Sequence, residues 1–196
     1  HRPGGEAALQ QLADTQPERR LAAVERLAEV GTMADAEPLV QALRDGSGPV
    51  RDAAGRALWA VWSRSGDVAT DRLLAEGTRL MSGGEFDLAL GVFDEIVRTR
   101  PDFAEGWNKR ATLLFLMGRD AESLRDCDEV LKRNRHHFGA LSGMAQIHLR
   151  RGALAPALAA WERAYALNPN LGNGAEVLKM LREAVQEERA RSGQRT

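Results

Sequence analysis

The sequence predicts an all-α fold, an α-solenoid of stacked helical hairpins, and three observations predict it. The first is a repeat. Windows beginning at Thr70, Ala104 and Phe138 align without an indel, with Leu73, Trp107 and Leu141 in the fourth column and small Gly77, Ala111 and Ala145 in the eighth. Ala89, Ser123 and Ala157 fill the twentieth column, and Phe93, Cys127 and Trp161 the twenty-fourth. The second is punctuation. Gly84, Gly118 and Gly152 share the fifteenth column, and Pro101, Arg135 and Pro169 the thirty-second. Glycine ends a helix in a left-handed conformation at low cost, and proline cannot extend one. The third is composition: abundant Ala, Leu, Arg and Glu favour helix, and Val and Ile nowhere alternate with polar residues over a strand length.

Taken in chain order, residues 1–66 carry a shorter repeat. Shifted by thirty-one, Leu12 meets Leu43, Asp14 meets Asp45, Arg20 meets Arg51, Ala22-Ala23 meets Ala53-Ala54, Leu27 meets Leu58 and Val30 meets Val61. Pro17 and Pro49 suit the first turn of a helix. The stretch from Leu43 to Leu58 resembles a HEAT repeat of the compact kind. That resemblance implies that Asp14 bonds Arg20, and Asp45 bonds Arg51, within each turn.

Residues 67–170 hold the three longer windows, 70–103, 104–137 and 138–171, each read as two helices meeting at its glycine. A single hairpin cannot bury its apolar face, so the hairpins stack. The period and the ladder of large, small, large and Pro resemble the tetratricopeptide repeat (TPR). The resemblance implies a right-handed superhelix, with HEAT-like hairpins followed by TPR hairpins in one continuous array of about eleven helices. Trp59 and Trp62 are then expected against Leu73 and Leu74; two domains hinged at Ser63 to Asp67 are the alternative. Residues 171–196 supply Val177, Leu178, Leu181 and Val185 at first-helix spacing with a charged outer side, as a capping helix and tail should.

Charge bounds the partners. Residues 1–66 carry eight basic and nine acidic groups and 67–170 carry fourteen and fifteen, so no basic field for nucleic acid exists. Apolar runs such as Ala111 to Met117 are too short to span a bilayer. A protein or peptide partner and a monomer or weak oligomer are expected. The chain begins at His1 rather than Met. A removed signal peptide, a transit peptide and a tag each fit, leaving periplasm, cytoplasm and plastid open.

Catalytic motifs are missing from the sequence: no Walker loop, His-Glu-x-x-His, paired Cys-x-x-Cys or Gly-x-Ser-x-Gly. Gly172-Asn173-Gly174 lacks the third glycine of a dinucleotide fingerprint, since Val177 stands there. His136, His137 and His148 are poor metal candidates, because adjacent histidines point apart and His148 sits in a core column. Asp120, Glu122, Asp126, Asp128 and Glu129 read as a solvated helix face. Cys127, opposite Phe93 and Trp161 in its column, reads as a small buried hydrophobe. No cofactor, no metal and no enzyme activity are expected.

By resemblance, the first helix of each TPR hairpin lines a concave groove. Leu74, Thr78 and Met81 then face it from the first repeat, Asn108, Thr112 and Phe115 from the second, and Ser142, Gln146 and Leu149 from the third. Asp71 and Glu105 occupy an inward column as well. Chaperone-binding TPR domains clamp a terminal carboxylate with Lys, Arg and Asn; only Asn108 is of that type, so no clamp is expected. Asn108 is expected to bond a partner's backbone, with Met81, Phe115 and Leu149 as apolar anchors. Glu76 and Arg110 fall in one column, and an ion pair between them, or a polar anchor for a ligand, is expected. Lys132, Arg133, Arg135, Arg150 and Arg151 form a basic junction, a second candidate surface.

The words Gly106-Trp107-Asn108-Lys109-Arg110-Ala111-Thr112 and His137-Phe138-Gly139-Ala140-Leu141 resemble small stand-alone TPR proteins of proteobacteria and plastids. The functional expectation is a non-catalytic scaffold holding a peptide or partner surface in the concave groove, by analogy in complex assembly. Two readings compete. One is an accessory or lyase for pigment attachment, since compact HEAT-like repeats occur in bilin lyases. The other is an interaction fragment of a longer multidomain protein.

Overall fold

A computed structural model describes residues 4–195 and contains eleven α-helices and no strand among them. They are α1 (Gly5–Gln11), α2 (Pro17–Val30), α3 (Ala36–Ala42), α4 (Gly48–Trp62), α5 (Val68–Ser82) and α6 (Phe86–Thr99). Next come α7 (Ala104–Leu116), α8 (Asp120–Arg133), α9 (Phe138–Arg150), α10 (Leu154–Leu167) and α11 (Gly174–Gly193). A 3-10 turn, Met33–Asp35, precedes α3. The chain divides into two compact units. One runs to Asp71 and includes Asn168–Asn170; the other holds Arg72–Leu167 and the segment from Leu171 onward.

In the first unit two hairpins, α1–α2 and α3–α4, meet through α2 and α4. Pro17 and Pro49 open α2 and α4 from their first turns, where the missing N–H costs nothing. Leu27, Leu39, Leu43, Leu58 and Val61 are fully buried between the helices, while Leu12 and Val30, the partners of Leu43 and Val61 in the short repeat, are half-buried. Thr32 and Asp35 form a reciprocal capping box ahead of α3.

The expected Asp–Arg bonds form differently. Arg20 donates Nη1 to the Asp14 carbonyl at 2.9 Å, and Arg51 donates Nη1 to the Asp45 carbonyl at 2.8 Å. The carboxylate of Asp45 instead receives Arg20 of the preceding hairpin, Nε at 2.8 Å and Nη2 at 3.0 Å. Side chains of 17% and 13% exposure make this a sheltered fork-on-fork pair. Each arginine thus closes its own turn through the backbone, and Arg20 also reaches the next turn through the side chain.

In the second unit α7 packs on α8, α9 on α10 and α10 on α11, while α6–α7 and α8–α9 join successive hairpins. The three hairpin turns are copies of one another. Gly84, Gly118 and Gly152 have φ of 80°, 76° and 72°. At each, the following amide reaches back to a carbonyl of the helix it leaves: Glu85 to Leu80, Arg119 to Leu114 and Ala153 to His148, at 2.9, 2.8 and 2.8 Å. That is a Schellman close, and only glycine adopts its left-handed residue freely.

Hairpins close where small residues face large ones. A Cβ built on Gly77 would enter the Phe93 ring. In the next hairpin Ala111 packs with Cys127, and both meet Ile147 of α9. Trp161 donates to the Gly174 carbonyl at 3.0 Å, and α11 buries Leu178, Leu181 and Val185, so the terminal helix covers α10 with the side that its spacing predicts.

Candidate functional site

The second unit contains a cavity of about 180 Å³ lined by Asn108, Ala111, Thr112 and Phe115 of α7, Ser123 and Cys127 of α8, and Gly139, Ala140, Ser142, Gly143, Gln146 and Ile147 of α9. Its origin is legible in the repeat. Cys127 occupies the column that Phe93 and Trp161 fill in the flanking hairpins, and a thiol leaves open the space a ring would take. A cavity of about 150 Å³ suffices for a benzene ring, so this one accommodates a single side chain. Its floor is apolar, through Ala111, Cys127 and Ile147. Its rim carries exposed Thr112 and Gln146, with no charged group among the lining residues.

Five predicted groove residues therefore meet here: Asn108, Thr112, Phe115, Ser142 and Gln146. The others go elsewhere. Leu74 is buried with Phe93, Ile96 and Leu113, because it sits where α5 faces the hydrophobic side of α6. Met81 packs at the edge of that cluster. Thr78 returns its hydroxyl to the Leu74 carbonyl at 2.7 Å, and Leu149 is exposed outside the cavity.

Three predicted roles change. Glu76 and Arg110 do not pair: Glu76 is held by Arg79 one turn along its own helix, Nε at 3.0 Å. Arg110 turns to Asp126 on α8, Nε at 2.7 Å and Nη2 at 2.9 Å, and to Asp94 on α6 at 3.1 Å. Asp126 therefore leaves the solvated face expected of it and is buried. The basic junction is largely occupied internally. Arg133 donates to the Glu129 carboxylate at 2.6 Å and lies 4.6 Å from the Trp107 ring centre, and Lys132 bonds Glu129 at 3.0 Å. Arg150 pairs with Asp120 and covers one face of Phe115 at 3.9 Å.

A buried polar network borders the cavity, and the sequence reading missed it. Glu105 and His137 are wholly inaccessible, with Oε2 and Nε2 2.9 Å apart. Glu105 Oε1 accepts from Asn108 Nδ2 at 2.9 Å, and His137 Nδ1 accepts the Ala140 amide at 3.0 Å. Glu105 lies in the first turn of α7, where the helix dipole favours a carboxylate. His137 caps α9 by accepting the Ala140 amide, and no cluster of three or more His, Cys, Asp or Glu suited to a metal occurs among the described residues. Asn108 is thus partly spent inside the protein, and its replacement bears on the fold as well as on the groove. The only advance signal was a carboxylate in an inward column.

Cys127 is buried, and that burial pushes its thiol up to about 12. A thiol so held is a poor nucleophile.

Solved structures of other proteins share this arrangement of helical hairpins. The first TPR domain of Spaghetti (RPAP3), solved with the HSP90 peptide SRMEEVD, matches with a TM-score of 0.56 and 21% identity over 60% of this chain and 93% of that one. The chain contains the tetratricopeptide-repeat fold. The Yersinia enterocolitica secretion chaperone SycD, solved with a peptide of the translocator YopD, matches with a TM-score of 0.55 and 15% identity, over 64% of this chain and 99% of that one. A TPR repeat-containing protein of Rhizobium etli is 37% identical over 124 residues, 63% of this chain and 61% of that protein. This chain thus spans about three-fifths of that relative's length. No family model matches the chain. Among the described residues no helix is long and apolar enough to cross a membrane.

Proposed function

We propose that the chain is a non-catalytic interaction scaffold whose TPR unit takes an extended segment of a partner protein across α7 and α9, seating one apolar side chain in the cavity between them. The observation that carries this reading is the cavity, with its apolar floor, its uncharged polar rim and room for one side chain. The likeness to RPAP3 and SycD supports it, since both were solved holding a peptide. The uncharged rim favours an uncharged stretch over an acidic tail such as SRMEEVD. Thr78, Met81 and Leu149 extend the same face for a longer segment, and the first unit, read as a compact HEAT-like pair of hairpins, offers a second surface for complex assembly. The pigment-lyase reading needs a reactive nucleophile, and the burial of Cys127 works against it.

Gly143 makes the test clean. It lines the cavity from within α9, and a Cβ there meets nothing within 4 Å. Gly143→Leu fills the cavity while removing a mid-helix glycine, a change worth roughly 0.5–1 kcal/mol of added stability. Panning a displayed random peptide library on immobilised wild type should enrich segments with one apolar residue in an uncharged context. The Gly143→Leu protein should enrich none while melting no lower than wild type. Equal enrichment on both proteins places the binding surface elsewhere.

A further inference from the structure

We infer that the buried pair His137–Glu105 fixes the amide of Asn108 so that it shows the cavity an acceptor, which makes the site selective for a ligand that brings a hydrogen-bond donor. This rests on the cavity being the binding site. Each step follows from the one before. The Ala140 amide donates to His137 Nδ1 at 3.0 Å, so that nitrogen carries no proton and Nε2 carries one. Nε2–H then points at Glu105 Oε2, 2.9 Å away. A proton on Nδ1 would set donor against donor and cost α9 its cap, so the ring is neutral. Glu105 accepts on one oxygen from the ring and on the other from the Asn108 nitrogen, 2.9 Å away. A carboxylate oxygen only accepts, so the Asn108 nitrogen must face it. Asn108 also lines the cavity, and the amide oxygen is the group left to face it. His137 and Glu105 act through Asn108 and are positioning residues.

Glu105→Gln should invert the site. The substituted side chain keeps the His137 bond, and with it the α9 cap, by offering its amide oxygen to Nε2–H. Its amide nitrogen then faces Asn108, which must turn its own oxygen inward and show the cavity a donor. The probes are ring-sized: phenol, which donates, and anisole, which only accepts. Both are titrated into the isotopically labelled full chain, following the amides of α7 and α9.

Wild type should bind phenol about three- to tenfold better than anisole, the worth of one net hydrogen bond, and Glu105→Gln should lose or reverse that preference. Gly143→Leu should bind neither. An unchanged phenol preference in Glu105→Gln overturns the inference and leaves the cavity standing. Binding of both probes by Gly143→Leu, or of neither by wild type, removes the cavity as the site and the inference with it. If Glu105→Gln does not fold, the imidazole nitrogen shifts of wild-type His137 decide. A protonated Nε2 with a bare Nδ1 supports the relay, and the opposite tautomer sinks it.

Discussion

Arg110 and Asp126 meet fork to fork, Nε to Oδ2 at 2.7 Å and Nη2 to Oδ1 at 2.9 Å, across the α7–α8 interface. The Asp126 side chain is 6% exposed and the Arg110 side chain 22%, and the Asp126 bond raises the arginine above its ordinary range. Removing one partner of a buried pair strands a charge, which typically costs about 3–5 kcal/mol. Arg110→Met should therefore lower unfolding stability by about that much in urea, and Arg110→Met with Asp126→Leu should recover most of it. A double variant as unstable as the single one would show the pair to be needed for more than charge balance.

The two helical glycines Gly77 and Gly143 should respond oppositely to the same change. At Gly77 a methyl group enters the Phe93 ring, and at Gly143 it meets nothing. Gly77→Ala should cost about 1–3 kcal/mol through overpacking. Gly143→Ala should gain roughly 0.5–1 kcal/mol. Thermal melts of the two variants beside wild type check both signs at once.

Acid should weaken the first unit through Asp45. The Arg20 bond holds that carboxyl below its ordinary 3.8. A depressed folded-state pKa gives stability that is present above the unfolded value and lost as pH falls through the folded one. The loss therefore begins near pH 4 and grows below it. Arg20→Met should start less stable at neutral pH and lose less on acidification, so the two curves of urea midpoint against pH should converge below pH 4. Parallel curves would mean that the pair carries no linkage.

Cys127 should be silent. With its thiol pushed up to about 12 by burial, labelling at pH 8 by a chromogenic disulfide should proceed only as fast as α8 opens. It should become complete in denaturant. Rapid labelling of the native chain would reopen the pigment-attachment reading.

The hairpins were legible in the sequence because their signals are local. The windows starting at Ala104 and Phe138 coincide with the first residues of α7 and α9, and glycine at a left-handed turn has no cheap substitute. The polar interior was not legible, because its bonds join residues that no local pattern links. Arg110 finds Asp126 sixteen residues on, and Glu105 finds His137 thirty-two on. Asp126 lies among four other carboxylates in one helix and cannot be told from them by spacing. Column membership predicted Glu76 beside Arg110, but Arg79 lies one turn from Glu76 and binds it first. The cavity was half visible: Cys127 stood out as small in a column of rings, while the space it leaves is a property of the packed helices.

The Arg20–Asp45 link gives the first unit a direction, like a growing chain with a reactive end. Of the two aligned arginines of the short repeat, Arg20 hands its side chain forward to the aspartate of the following turn. Arg51 has no third turn to find. Its Nε goes instead to the Asn170 oxygen at 3.1 Å, and the same amide returns its nitrogen to the Leu43 carbonyl at 2.7 Å. A neutral side chain thus stands where one more aspartate would have been drafted, and it works as a terminator. Grafting a third hairpin after α4 would have to evict that amide, and cutting out the second would leave Arg20 calling to an absent carboxylate. Within this unit, length is written into the polar bonds as firmly as into the apolar core.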